Sequence, residues 1–272
     1  MEATRAAPIK GFMTMPPLPA RPALFVDFDG TLADIVEDPA AVRVAPDLLG
    51  LLARLQAALG GALAVVSGRP VAHIDRHLAP LILAAAGLHG LERRPDPGAA
   101  AQRPPRPAAI DVLRDRLVAE GVLALGARLE DKGATLAVHY RAVPEHGERV
   151  VAAVRGAAME LTALHLVEGK MVIEAKPRGT DKGSAVDAFL AAAPFAGRTP
   201  VFVGDDVTDE DGFRAALAVG GIAIKVGDGP SCAPFRLGGV AAVHAWLAAL
   251  AADVETDETR RKGHRAIGHS SA

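Results

Sequence analysis

Short apolar runs alternate with amphipathic stretches near both ends of the chain, and this alternation constrains the fold most strongly. Buried strands are predicted at residues 23–28, 62–67, 81–86, 200–203 and 221–226. Helices are predicted at residues 46–59, from Pro70 onward, and at 182–193, 209–218 and 239–251. Strands that alternate with helices favour a parallel sheet with right-handed crossovers. We therefore expect an α/β fold in which both halves of the chain contribute to one sheet.

The middle of the chain has a different pattern. Residues 93–107 are rich in proline, which is typical of a linker. A helix at 108–120 is followed by extended runs around Lys132-Gly133, a helix at 144–161, and a second hairpin that turns at Gly169-Lys170. Helix, hairpin, helix and hairpin together predict a small α+β domain inserted into the larger one.

These patterns predict a division of the chain into five parts. We expect a core made of 22–92 and 178–250, a linker at 93–107, an α+β insertion at 108–177, and disordered ends at 1–21 and 251–272. A chain of 272 residues, half of them apolar, is long enough to bury one large core and a smaller second one.

Composition excludes several classes of protein. The net charge of −2 lacks the basic excess of nucleic-acid-binding proteins. Cys232 is the only cysteine, so an intrachain disulfide and cysteine-rich zinc sites are excluded, and a reducing, cytoplasmic location is expected. No apolar run is long enough to span a bilayer, so we expect no membrane among the partners. The net charge likewise leads us to expect no nucleic acid among them.

Carboxylates follow two of the predicted strands. Asp27 and Asp29 come at the end of the first strand, and Asp205, Asp206 and Asp209 follow the strand that ends at Val203. Ligands of open α/β sheets bind at the carboxyl ends of the strands. Clustered carboxylates repel one another unless a cation lies between them, and hard oxygen ligands select Mg²⁺. The sequence therefore predicts a magnesium site at this edge of the sheet.

Two further groups suit a phosphate. Ser67 ends another strand and offers a hydroxyl, and Lys182 begins a helix, where an anion is also favoured by the helix N-terminus. Each feature taken singly is more often a turn, a helix cap or a solvated charge. Their occurrence together, in order and at successive strand ends, favours a phosphate site.

This ordered set resembles the haloacid dehalogenase superfamily of phosphohydrolases, whose four motifs match DFDGT, VVSGR, Lys182 and GDDVTD. The resemblance implies a Rossmann-like parallel-sheet core with an inserted α+β cap domain. It also implies a nucleophile at Asp27, a general acid and base at Asp29, and phosphate binding by Ser67 and Lys182. Asp27, Asp205 and the backbone carbonyl of Asp29 would hold Mg²⁺. The remaining implied roles are support of the metal site by Asp206 and Asp209, and substrate contacts from Gly30, Thr31, Gly68 and Arg69.

The chain is similar to trehalose-6-phosphate phosphatases in particular, through the stretches DGTLADIVEDP, GLHGLE, LEDKGATLAVHYR and HLVEGKMVIEAKPRGTDKG. This resemblance implies Mg²⁺-dependent hydrolysis of trehalose 6-phosphate and a functional link to a separate trehalose-6-phosphate synthase. It assigns the sugar contacts of the cap to Glu130, Lys132, His139, Arg141, Glu168, Gly169 and Lys170. Glu174 and Lys176 are either cap contacts or hinge surface, and His89 of the GLHG stretch either contacts substrate or has a structural role.

Three alternatives remain open at this point. The chain could hydrolyse another sugar phosphate, such as sucrose phosphate, mannosyl-phosphoglycerate or a hexose phosphate. It could bind a sugar phosphate without catalysis, although Asp27, Asp29 and Lys182 are all present. A nucleotide-binding fold is the third alternative, but the Gly-x-Gly-x-x-Gly turn is missing after the first strand.

Overall fold

The computed structural model describes residues 19–36, 42–169 and 171–268, with the backbone alone for 257–268. The chain divides into two compact units, with boundaries after Ala101 and after Thr180. The strands are β1 Pro22–Val26, β2 Leu63–Val66, β3 Ala84–Gly87, β4 Glu92–Arg94, β5 Arg128–Asp131, β6 Leu136–His139, β7 Leu164–Gly169, β8 Val172–Pro177, β9 Thr199–Gly204, β10 Ile222–Val226 and β11 Phe235–Leu237. The helices are α1 Pro46–Ala58, α2 Val71–Leu78, α3 Ala108–Ala119, α4 Gly147–Ala158, α5 Lys182–Leu190, α6 Asp209–Ala218 and α7 Val240–Gly268.

The first unit is built on a seven-stranded sheet in the order β11-β10-β9-β1-β2-β3-β4. All neighbouring strands pair in parallel except β3 and β4, which are antiparallel. Strand β1 lies at the centre, where β9 from the second half of the chain pairs with it directly. The prediction that both halves share one α/β sheet is confirmed.

Burial explains why these strands read as unbroken apolar runs. Every residue of β1 and β2 is buried, as expected for parallel strands covered by helices on both faces. Helix α5 begins with a capping box, in which Asp181 accepts a hydrogen bond from the backbone N–H of Ser184 at 2.7 Å. This cap sets the first turn of α5 and therefore the position of Lys182.

The second unit has its own sheet and core. Its four strands are antiparallel in the order β5-β6-β8-β7. Helices α3 and α4 supply apolar side chains to the same core as the strands, and the largest contributors are Ile110, Leu113, Leu117, Val138, Val150, Val154, Leu164 and Ile173. The predicted hairpins thus join as the two halves of one sheet.

The proline-rich segment is held more firmly than a linker at 93–107 would be. Its first residues complete β4, where Arg94 forms two hydrogen bonds of 2.7 and 2.6 Å to the carboxylate of Asp75. Near its end, Arg106 binds both carboxylate oxygens of Asp131 at 2.7 and 2.8 Å. The boundary between the units falls within the segment, after Ala101, and each part is fastened to its own unit.

The predicted disordered tail is wrong for residues 251–268. Helix α7 continues through them to Gly268, and Glu255 pairs with Arg54 of α1 at 2.9 Å. The predicted disordered N-terminus lies outside the described residues up to position 18, as do residues 269–272. Among the described residues, none of the helices has both the length and the hydropathy of a membrane span.

Candidate active site

The carboxyl ends of three adjacent strands bring the predicted acidic and polar residues together. Strand β1 lies between β9 and β2, so Asp27, Asp205 and Ser67 follow neighbouring strands at one edge of the sheet. A cavity of about 510 Å³ opens there. The predicted residues that line it are Asp27, Asp29, Ser67, Gly68, Arg69, Lys182, Asp205 and Asp206.

Lys182 is the centre of the site. Its ammonium group donates hydrogen bonds of 2.7 Å to Asp27 and 2.6 Å to Asp209, and its side chain is 2 % exposed. Burial by itself would lower the pKa of Lys182, but the two carboxylates raise it above its ordinary value. Lys182 therefore remains a cation at neutral pH and holds Asp27 in place.

Asp209 has a structural task that the sequence did not reveal. One carboxylate oxygen accepts the hydrogen bond from Lys182, and the other accepts one from the backbone N–H of Asp206 at 2.9 Å. Both oxygens are engaged and the residue is fully buried. Asp209 thus fixes Lys182 and the loop after β9, and its implied support of the metal site stays a prediction.

The site carries more negative than positive charge. Asp27, Asp205 and Asp209 each offer one oxygen, and these three atoms lie within 4.8 Å of one another. Burial raises the pKa of Asp27 and Asp205, and repulsion from Asp209 adds to the effect at both carboxyls. Lys182 pairs with two of these carboxylates and Lys225 lies near Asp205, so two ammonium groups face three carboxylates, and the donor set fits a divalent cation with oxygen ligands.

Gly30 and Thr31 support the acidic cluster and have other partners than the predicted substrate. A Cβ atom at Gly30 would lie 2.1 Å from Oδ2 of Asp205, and the backbone N–H of Gly30 donates to the carbonyl of Ala33 at 2.7 Å. The hydroxyl of Thr31, a fully buried residue, is 3.5 Å from Oδ1 of Asp205. The Gly30 N–H and the Thr31 hydroxyl thus have protein partners in this structure, and the substrate contacts predicted for the two residues stay predictions.

Arg69 is bound to protein groups on several sides. It donates hydrogen bonds of 2.7 Å to each carboxylate oxygen of Asp29, and it lies 3.1 Å from Nε2 of His77. Its guanidinium also stacks over the ring of Phe28, 5.3 Å from the centroid. Arg69 lines the cavity as predicted, but in this structure its planar group orients Asp29.

Ser67 and Asp206 complete this edge of the site. Ser67 is 1 % exposed, and its hydroxyl accepts the backbone N–H of Arg69 at 3.1 Å, leaving the O–H proton directed elsewhere. Asp206 is exposed and accepts the backbone N–H of Val207 at 2.6 Å. The two residues frame the cavity on the β2 and β9 sides.

The second unit carries a separate polar group of side chains on its sheet. Glu130 of β5 binds the imidazole of His139 on β6 at 2.7 Å. On β8, which pairs with β6, Glu174 accepts hydrogen bonds from Lys132 at 3.4 Å and from Thr135 at 2.8 Å. Lysines 132 and 176 lower the pKa of Glu174 despite its burial. The sequence did not decide whether Glu174 is a cap contact or hinge surface. In the sheet, Ala137 pairs in register with both Glu130 and Glu174, so the side chains of the two glutamates lie on the same face.

Glu168 does not join this group. It pairs in register with Ile173, whose side chain packs in the core beneath the helices, and it forms an ion pair with Arg155 of α4. The side chains of Glu130 and Glu168 therefore leave opposite faces of the sheet, and the sugar contact assigned to Glu168 stays a prediction. Arg141 and Gly169 are exposed, and Lys170 lies outside the described residues.

Comparisons with known proteins agree with this geometry. Residues 25–237 match the family model described as trehalose-phosphatase. The chain is 43 % identical to the trehalose-6-phosphate phosphatase of Escherichia coli K12 over 235 residues, which cover 85 % of this chain and 87 % of that protein. It is 41 % identical over 231 residues to a probable trehalose-phosphate phosphatase of Sinorhizobium fredii, covering 85 % and 86 % of the two chains.

A solved structure gives the same result for the fold. The trehalose-6-phosphate phosphatase of Aspergillus fumigatus superposes with a TM-score of 0.66 and 26 % identity, covering 86 % of this chain and 93 % of that one. The match to the family model includes every residue at the carboxyl edge of the sheet described above. This chain therefore belongs to the trehalose-phosphatase family.

Proposed function

We propose that this chain hydrolyses trehalose 6-phosphate to trehalose and inorganic phosphate, with Mg²⁺ and through an aspartyl-phosphate intermediate on Asp27. The observation that carries the proposal is the pairing of Asp27 with Lys182 at 2.7 Å beside Asp205, at the carboxyl end of β1. A carboxylate held by a buried ammonium in a cavity is a nucleophile that needs no separate base.

In the first step, an oxygen of Asp27 attacks phosphorus and the bond from phosphorus to the sugar oxygen breaks. The Asp29 carboxyl releases one of its two hydrogen bonds from Arg69 when it is protonated, and it then gives that proton to the leaving sugar oxygen, so that a hydroxyl and not an alkoxide departs. In the second step, Asp29 takes a proton from a water molecule, and the oxygen of that water attacks phosphorus. The acyl phosphate bond to Asp27 then breaks, which releases inorganic phosphate. Both carboxyls return to their starting states.

The surrounding residues bind charge that develops on the phosphoryl group. Lys182 and the Ser67 hydroxyl are the donors for its oxygens, and Asp209 keeps the Lys182 ammonium aimed at the site. Asp27, Asp205 and the carbonyl of Asp29 are the proposed magnesium ligands, supported by Asp206. When bound, the ion would offset the charges of the carboxylates and of the phosphoryl group.

The sugar assignment rests on family membership and on the polar group of the second unit. Glu130 with His139, and Lys132 with Glu174, form two hydrogen-bonded pairs, and such groups suit the hydroxyls of a disaccharide. Arg141 is the remaining proposed contact. The relatives named trehalose-phosphate phosphatases match over more than four-fifths of this chain, which favours the same substrate here.

The test is phosphate release from trehalose 6-phosphate, glucose 6-phosphate and sucrose 6-phosphate, each with Mg²⁺ and with EDTA. We expect preference for the trehalose ester and loss of activity in EDTA. Asp27→Asn should abolish turnover in a folded protein, since the amide cannot form the acyl phosphate. Preference for another ester would overturn the sugar assignment, and activity of Asp27→Asn would overturn the covalent mechanism.

A further inference from the structure

The turn after β3 has a backbone that its sequence does not favour. Leu88, His89 and Gly90 follow one another with φ angles of 50°, 55° and 96°. Left-handed backbone costs free energy at residues that have a side chain, and it persists where the surrounding structure enforces it. Within the described part of the chain, Met171 is the one other non-glycine residue with positive φ. The strained backbone marks this turn as a candidate functional element.

Hydrogen bonds attach the turn to the loop that carries Ser67. The backbone N–H of His89 donates to the carbonyl of Ser67 at 3.0 Å, and that of Leu88 donates to the carbonyl of Arg69 at 3.0 Å. These two bonds hold the left-handed residues in register with the phosphate loop. Movement of the turn would consequently disturb Ser67 and Arg69 as well.

Close contacts on both sides fix the turn further. A Cβ atom at Gly68 would lie 2.7 Å from both Cε1 and Nε2 of the His89 ring. A Cβ atom at Gly90 would lie 2.4 Å from the carbonyl oxygen of Asp181, the residue before Lys182. The turn thus fits between the Ser67 loop and the start of α5, and the imidazole edge that carries Nε2 lies against Gly68.

His89 is also one of the residues that line the cavity. It is half-buried there, together with Asp27, Ser67 and Lys182. A ring that only filled space could be carried on an ordinary backbone, whereas this backbone is forced into a left-handed form that directs a hydrogen-bonding ring to the phosphate loop. The His89 side chain is therefore positioned to contact an oxygen of a group that binds between Ser67 and Lys182.

We propose that His89 is a substrate-contacting residue whose imidazole N–H donates a hydrogen bond to a phosphoryl oxygen of the bound ester. This inference rests on the proposed phosphatase function and adds a third hydrogen-bond donor to the phosphate site, beside Lys182 and the Ser67 hydroxyl. A neutral imidazole can donate from one nitrogen, and a bond to a phosphate oxygen is charge-assisted.

The experiment uses inorganic phosphate as the probe, with Mg²⁺, on the full chain. His89→Asn suits the turn because asparagine tolerates left-handed backbone, but its shorter amide cannot reach the Nε2 position. His89→Gln restores a donor at about that reach. His73→Asn is the matched control, since His73 is an exposed histidine of α2 at the cavity rim. Two readouts are compared: the inhibition constant of phosphate and the rise in melting temperature that phosphate produces.

We expect His89→Asn to weaken phosphate inhibition about tenfold, the loss of one charge-assisted hydrogen bond, and to reduce the phosphate-induced rise in melting temperature. His89→Gln should recover part of both effects, and His73→Asn should behave like the wild type. Phosphate binding unchanged in a folded His89→Asn variant would overturn the proposal. A raised KM for the ester with unchanged phosphate inhibition would also overturn it, because the ring would then contact the sugar.

The two readouts separate this inference from the proposed function. If the wild type releases no phosphate from any ester, the proposed function fails, and the melting-temperature shift still reports whether phosphate binds and whether His89 contributes. If the wild type is active and its phosphate binding does not depend on His89, this inference alone fails. Should His89→Asn not fold, His89→Gly takes its place in the same two measurements, because glycine adopts the left-handed backbone readily and has no side-chain donor.

Discussion

Arg69 donates two hydrogen bonds of 2.7 Å to the two carboxylate oxygens of Asp29, and this bidentate pair sets the orientation of the proposed general acid and base. The guanidinium is 10 % exposed and is itself held by Phe28 and His77. Because the planar Arg69 guanidinium is itself held in place, it restricts the Asp29 carboxylate far more than the flexible ammonium of a lysine would.

The first prediction concerns this pair. Arg69→Met should lower kcat about 100-fold for a sugar phosphate, whose leaving oxygen needs a proton, and much less for p-nitrophenyl phosphate, whose leaving group does not. Steady-state rates on both esters measure the difference.

The control for Arg69 is Arg54→Met. Arg54 makes the same bidentate contact with Glu255, at 2.9 Å, but on the exposed surface, so its loss should leave both rates unchanged. If Arg69→Met slowed the two esters equally, the pair would act on the phosphoryl group or on folding and not on Asp29.

The second prediction concerns Lys182. Lys182→Met leaves Asp27 and Asp209 buried without their cation, so we expect unfolding to become easier by about 3–5 kcal/mol and turnover to be lost. Urea unfolding with and without Mg²⁺ measures the change. Mg²⁺ should restore part of the stability, because it supplies positive charge to the same carboxylates. Equal destabilisation in both conditions would count against a cation site at Asp27.

The third prediction is a dependence of the magnesium effect on pH. Asp27 and Asp205 have folded-state pKa values above the ordinary 3.8, chiefly through burial. A raised folded pKa means that these groups favour folding below about pH 4, and that this contribution is lost as pH rises through the raised values. Without metal, the carboxylates therefore destabilise the fold at neutral pH.

Mg²⁺ binds the ionised carboxylates and should reverse this loss. The magnesium-induced rise in melting temperature is expected to be small near pH 4 and to grow toward pH 7. Thermal unfolding in matched buffers with Mg²⁺ or EDTA measures it, and Asp205→Asn should remove most of it. A magnesium effect independent of pH between these limits would show that the ion binds elsewhere.

The fourth prediction concerns Gly30. Its φ is +77°, and a methyl group there would overlap Oδ2 of Asp205, so Gly30→Ala should displace Asp205 and abolish magnesium-dependent activity. Gly197→Ala is the matched control, since Gly197 has φ +68° but nothing within 4 Å of the added atom. The control should lose only the strain energy, about 1–2 kcal/mol of stability, and retain activity. Similar activity in the two variants would contradict the role assigned to Gly30.

The grouping of Asp27, Ser67 and Asp205 was predictable because parallel strands bring their carboxyl ends to one edge, and each residue directly follows an apolar run. The bond between Lys182 and Asp209 was not, since it depends on how α5 and α6 pack together, which no local pattern encodes. The same holds for Arg69, whose sequence position beside Ser67 favours a substrate contact while its tertiary neighbours are Asp29 and Phe28.

Two other differences have local causes. Residues 251–268 are polar enough to be taken for a disordered tail, yet α7 continues through them. Glu255 of α7 pairs with Arg54 of α1. In β7, Leu164, Leu166 and Glu168 alternate with a period of two, so the strand pattern does place Glu168 with the inward leucines.

The last prediction tests this difference between the two faces of the second sheet. Glu130→Gln breaks the contact with His139 on the polar face, and we expect KM for trehalose 6-phosphate to rise about tenfold, as for loss of a hydrogen bond to a charged group. Glu168→Gln removes an exposed pair with Arg155 on the helix side and should leave KM unchanged. Both variants should hydrolyse p-nitrophenyl phosphate at the wild-type rate, because that ester lacks the sugar. An equal rise in KM for the two variants would mean that Glu168 leaves Arg155 to bind substrate, and the assignment of sugar binding to one face of the sheet would be abandoned.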